Sequence, residues 1–111
     1  MNPQIQVAVQ KIEGQTFVGA NIQLDGAAYV KCTFINCNII FMGTGFLHIE
    51  DNNFDTTCRW TLAGSAAATL SFLKLMYASG ATQMVEGFFR VIRGEAPPPH
   101  ISMEGPPSSV Q

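Results

Sequence analysis

Five side chains are of the types needed to hold a phosphate and stack a base: Arg59, Trp60, Tyr77, Arg90 and Arg93. A guanidinium is a planar fork that donates two parallel hydrogen bonds to a phosphate. An indole, phenol or phenyl ring offers a face for a base. The competing reading is that these are surface cations beside core aromatics. Cys32, Cys37 and Cys58, with His48, form a nominal metal-ligand set. Four residues separate Cys32 from Cys37 and there is no second close pair, which argues against a zinc site. A small, buried structural thiol is the simpler role. A cysteine nucleophile with His48 as base lacks an orienting third group. Glu50, Asp51 and Asp55 near His48 are the types a hydrolase would use, and equally those of a solvated loop. No phosphate loop, serine elbow or metalloprotease motif is present. The expectation is a non-catalytic protein with no metal and no cofactor.

The stretch Phe17–Leu62 must position most of these groups. Small residues at Cys32 and Cys37 are each followed two positions later by a large apolar one, Phe34 and Ile39. A step of five fits neither a helix nor a long alternating strand. It fits a chain that bends after every short strand. Phe17 to Phe34 is 17 residues, Phe34 to Phe54 is 20, Ile22 to Ile39 is 17 and Ile39 to Trp60 is 21. Each distance reads as one coil of a right-handed parallel β-helix, with like residues stacked about 4.8 Å apart.

Ala20-Asn21-Ile22, Cys32-Thr33-Phe34 and Cys37-Asn38-Ile39 repeat a small, polar, large apolar pattern; Asn52-Asn53-Phe54 and Cys58-Arg59-Trp60 follow it less closely. In this the segment resembles the pentapeptide-repeat proteins, which repeat the pattern around a four-sided coil. Only two repeats run in tandem here, and Thr44–Asp51 breaks the step as a bulge or loop. A less regular β-helix is therefore expected. The resemblance implies a DNA-mimic or protein-binding role. The chain is also similar to small uncharacterised bacterial proteins in which an Asn- and Cys-rich β segment precedes a helix like Thr69-Leu-Ser-Phe-Leu73. That likeness implies an architecture and no activity.

Around this segment, residues 1–16 read as an N-terminal strand and cap, with Ile5, Val7 and Val9 alternating with polar residues. Residues 17–64 are the coils, and 65–94 two packed helices. Together residues 1–94 form one domain, mostly β with C-terminal α. Ser65 is a candidate N-cap. Ala66, Leu70, Leu73 and Tyr77 fall on one stripe, and Val85, Phe88, Phe89 and Ile92 on another. Glu86 and Arg90 are spaced to pair. Gly87 implies close packing against another backbone. One helix is expected to close the last coil and the other to meet a second subunit. The proline-rich residues 95–111 read as a flexible tail.

The 111 residues carry a net charge of −2 and only 13% charged residues against 47% hydrophobic. Ordinary domains carry roughly 25% charged residues. So little charge on a small domain implies surface covered by another subunit, and a homo-oligomer assembled through the helices is expected. No basic field draws in nucleic acid. There is no apolar run of membrane-span length and no leader-like start, so a cytoplasmic location is expected. Three functions follow, in order. The first is a binding protein that sequesters a small anionic, nucleotide-like signal at Arg59, Trp60, Tyr77, Arg90 and Arg93; by analogy of size and architecture this is a sponge role in phage–bacterium conflict. The second is a protein-interaction module or DNA mimic. The third is a small hydrolase.

Overall fold

Turn residues recur along the chain so often that no described strand exceeds four residues, and the strands stack in parallel instead of lengthening. The structure, a computed structural model, describes residues 10–104. The first coil holds β1 (Gln10–Glu13), β2 (Thr16–Val18) and β3 (Asn21–Gln23). The second holds β4 (Ala27–Val30), β5 (Thr33–Ile35) and β6 (Asn38–Phe41). The third holds β7 (His48–Glu50), β8 (Asn53–Phe54) and β9 (Arg59–Leu62). Three parallel sheets result, ordered β1-β4-β7, β2-β5-β8 and β3-β6-β9. Phe17 pairs with Phe34 and Phe34 with Phe54; Ile22 pairs with Ile39 and Ile39 with Trp60. The expected layers are therefore the observed ones. The coils begin earlier than expected, because β1 is the first side of the first coil. The alternating Ile5, Val7 and Val9 lie outside the described residues. Within Thr44–Asp51, residues 44–47 form the expected loop, but His48–Glu50 rejoins the coil as β7.

The core is the lumen of these coils. The Phe17 and Phe34 rings stack 5.3 Å apart, and Phe34 and Phe54 4.8 Å apart, with interplanar angles of 11° and 7°. Phe34, Ile39, Cys32 and Cys37 are the largest fully buried side chains. The small residues at the corners also bind the coil beneath. The Cys32, Cys37 and Cys58 thiols donate to the carbonyls of Ile12, Phe17 and Phe34 at 3.4, 3.4 and 3.2 Å. Asn52 does more, since its Oδ1 accepts from the Cys32 amide at 2.8 Å and its Nδ2 donates to the Tyr29 carbonyl at 2.9 Å. Lys31, Asn36 and Asp51 hold positive φ at corners, at 56°, 53° and 57°. Each left-handed residue turns the chain without breaking the ladder, as the Lys31 amide still reaches the Glu50 carbonyl at 2.9 Å.

Two helices follow, α1 (Gly64–Ala78) and α2 (Thr82–Ile92). Ala63, not Ser65, is the N-cap residue of α1, and no side chain caps it. The loop after β6 partly does so, because the Met42 carbonyl accepts the Ala66 amide at 3.2 Å. Gly43 is required there: a Cβ would lie 2.9 Å from the Ala66 nitrogen. This contact sets the direction in which α1 leaves the coil. The helices pack on each other, but neither closes the third coil as expected. Ile39 is 1% exposed, whereas Trp60, stacked on it, is 62% exposed; Tyr29 is 6% exposed, and Ile49 above it 44%. Gly87 packs on side chains from the residues after α2, not on a backbone. A Cβ there would meet Ile101 at 2.9 Å and Pro98 at 3.3 Å. Residues 95–104 form no helix or strand, yet Ile101 is buried on α2.

Phe34→Ala is expected to destabilise the fold by about 3–5 kcal/mol in chemical denaturation, the cost of emptying a closed aromatic site. Val18→Ala, on the outer side of β2 and exposed, should cost under ~0.5 kcal/mol.

Candidate functional site

The five predicted ligand residues fall in two places. Arg59 and Trp60 open β9, on the last coil. The Trp60 ring leans on Phe54, 5.0 Å between centroids and tilted by 53°, and the residue is largely exposed. Arg59 is exposed, and its Nη1 reaches Asn36 Oδ1 at 3.5 Å. Alternation along β9 turns the two side chains to opposite sides of the sheet.

Tyr77, Arg90 and Arg93 lie in the helical region. Tyr77 lines a groove of about 500 Å3 between α1 and α2, with Leu70, Leu73, Phe88 and Ile92. Arg90 and Arg93 converge on one anion. Arg90 Nε donates to Glu95 Oε1 and Arg93 Nε to Glu95 Oε2, each at 3.1 Å. The expected Glu86–Arg90 pair is replaced by this one, because Glu95 reaches both guanidiniums with one carboxylate. Hydrogen bonds from Arg93, then from Arg90, hold the Glu95 carboxyl below its ordinary range. Two guanidiniums aimed at one pair of oxygens are the donor arrangement used for oxyanions in general.

The acidic groups do not converge. His48 and Glu50 are two apart on β7 and share its outer side, with Nε2 3.2 Å from Oε1. Asp51 is a corner residue. Asp55 folds onto its own turn, accepting the Thr57 amide at 2.9 Å, which holds its carboxyl low. Thr57 in turn accepts the Asn36 amide at 2.8 Å, completing the ladder where the third coil has a longer corner. The thiols are spread over two coils in the corner roles described above. Among the described residues no group of three or more His, Cys, Asp or Glu side chains is placed to hold a metal ion.

Asp25 escaped the sequence reading. It is the buried carboxylate among the described residues, and it ties the corner between the first and second coils to the loop between the second and third. Oδ1 accepts the Met42 amide at 3.0 Å; Oδ2 accepts the Thr44 amide at 2.8 Å and the Thr44 hydroxyl at 2.6 Å. Burial works to raise its pKa, but the Met42 and Thr44 hydrogen bonds outweigh it and leave the carboxyl below its ordinary value. The Asp25-Gly26 dipeptide signalled a turn; nothing in its spacing showed that the carboxylate turns inward. Because Met42 and Gly43 also seat Ala66, Asp25 holds the loop against which α1 begins.

The fold is a parallel β-solenoid of three coils with a helical extension. The chain matches no protein-family model, no curated protein and no solved structure. No described helix is long and apolar enough to cross a membrane.

Asp25→Ala leaves two amides and a hydroxyl without their acceptor, and should cost about 3 kcal/mol at neutral pH. The folded pKa lies below the unfolded value of about 3.9. The carboxylate therefore stabilises the fold above that value and loses its effect as pH falls through the folded pKa. In urea melts, the gap between wild type and Asp25→Asn should be widest near neutrality and narrow below about pH 4.

Proposed function

We propose that the protein is a non-catalytic binding protein that works as a homo-oligomer and captures a small anionic, nucleotide-like ligand where subunits meet. The observation that carries this reading is α1. None of its fifteen residues is buried, yet Leu70, Phe72, Leu75 and Tyr77 lie along it, all substantially exposed. An all-round apolar helix belongs inside an assembly. A second observation supports the anion. Arg90 and Arg93 already close on the two oxygens of one carboxylate, the geometry a phosphate would use. Arg59 and Trp60 sit on the last coil and Tyr77 on a helix, so an interface is the place where a phosphate site and a stacking face can meet. A sponge for nucleotide signals in the bacterial or phage cytoplasm is the role this chemistry suits best.

Protein binding is the second reading, favoured by the same apolar groove between α1 and α2. Its DNA-mimic form, suggested by likeness to pentapeptide-repeat proteins, fits less well. Eight acidic side chains against six basic ones do not make the dense acidic stripe that imitates a phosphate backbone.

Calorimetry against cyclic and linear nucleotides tests the ligand. Binding should depend on the phosphate, and the nucleotide should be recovered unchanged after denaturation. Arg90→Ala should weaken binding by more than about 1.5 kcal/mol, whereas Glu95→Gln should strengthen it by removing the competing carboxylate. Absence of heat with every nucleotide would move the assignment to protein binding, and a cleaved nucleotide would move it to hydrolysis.

A further inference from the structure

Among the described residues, two apolar surfaces lack a cover. One is the end of the solenoid. β7, β8 and β9 are the outer strands of their three sheets at that end, with Ile49, Trp60 and Leu62 exposed. The other is the side of α1 turned away from α2. Leu70, Leu73 and Tyr77 line the groove toward α2. At 3.6 residues per turn, Ala68, Phe72 and Leu75 fall on the opposite side, and Leu75 is 62% exposed. We infer that these two surfaces cover each other between two copies of the chain: the back of α1 from one copy lies across the third coil of the other, and the same contact is made in return. This rests on the homo-oligomer proposed above and names the surface that receives its helices.

Three observations favour this pairing over like meeting like. The first is the connection. α1 begins one residue after Ala63, and the close approach of Gly43 to Ala66 fixes its direction. A helix anchored this way at the rim does not fold back over its own coil, but it is free to reach another. The second is size. Fifteen residues of α1 extend about 22 Å, more than the roughly 13 Å of a four-residue strand, so one helix spans the coil end. The third is charge. Glu50, Asp51 and Asp55 against Arg59 give the third coil a net negative charge. The back of α1 carries none, because Lys74, the one charged residue of α1, lines the groove toward α2. Coil end on coil end sets like charge against like. The reciprocal contact sets the acidic coil end against an uncharged helix face, and a two-fold axis closes it without leaving a free copy of either surface.

Complementation between two variants tests it. Ile49→Asp spoils the coil end, and Leu75→Asp spoils the back of α1. Both sites are exposed, so each variant should keep the wild-type circular dichroism spectrum; Trp60→Asp replaces Ile49→Asp if that variant misfolds. In light scattering the wild type should have twice the chain mass and each variant alone should be a monomer. An equimolar mixture should recover the dimer mass, because one of its two contacts joins an intact coil end to an intact helix. Ile49→Asp remaining dimeric would overturn the inference in favour of a helix-only interface. Leu75→Asp remaining dimeric would overturn it in favour of end-to-end stacking. Two monomeric variants whose mixture stays monomeric would overturn it as well. A monomeric wild type would remove the homo-oligomer itself, an outcome distinct from the other three.

Discussion

In-register parallel stacking is the constraint on which everything else in this protein depends. Phe17, Phe34 and Phe54 occupy one column and Ile22, Ile39 and Trp60 another. A slip of one residue in any coil would turn these side chains outward and polar neighbours inward. The aromatic stack, with centroids 5.3 and 4.8 Å apart, is strand spacing expressed in side chains. The corners serve the same register. Thiols and the Asn52 amide donate to the carbonyls of the coil beneath, so each small inward residue both leaves room for the turn and binds it.

Stacking has a geometric cost. A sheet of coils buries a coil only when another lies on each side, and the last coil has a neighbour on one side alone. The same lumen column thus runs from closed at Ile39 to open at Trp60. The third coil differs in other ways. Its corner after β8 is lengthened by the Asp55–Thr57 turn, and acidic residues collect there. Charges at an edge oppose unplanned strand pairing.

Asp25 links the solenoid to the helices. Its carboxylate gathers the amides of Met42 and Thr44, and the Met42 carbonyl receives Ala66. A buried charge is tolerated because three donors replace its water. The result is a stiff junction in place of a loose linker, so the direction of α1 is a property of the coil. At the far end of the hairpin, Gly87 lets Pro98 and Ile101 seat themselves on α2, and Glu95 draws Arg90 and Arg93 together. The residues that suggest an anion site are thus shaped by chain that follows the second helix.

The layers of the β-helix were legible in the sequence because its lumen selects residue size at a fixed interval, and the intervals of 17, 20 and 21 survive as the observed pairing. The helices were legible for the same reason, through spacing of three and four. Both are local periodicities, and local sequence carries them. What the sequence did not carry are relations between segments that no period connects. No spacing around Asp25 pointed to Met42 and Thr44, which only the fold brings to its carboxylate. Arg90 had a partner at helical spacing in Glu86, but took Glu95 once the chain beyond the helix curved back. The third coil was expected to lie beneath a helix; the junction at Gly43 and Ala66 directs that helix elsewhere. Orientation between packed elements depends on contacts between distant residues, and these are decided only when the whole chain is folded.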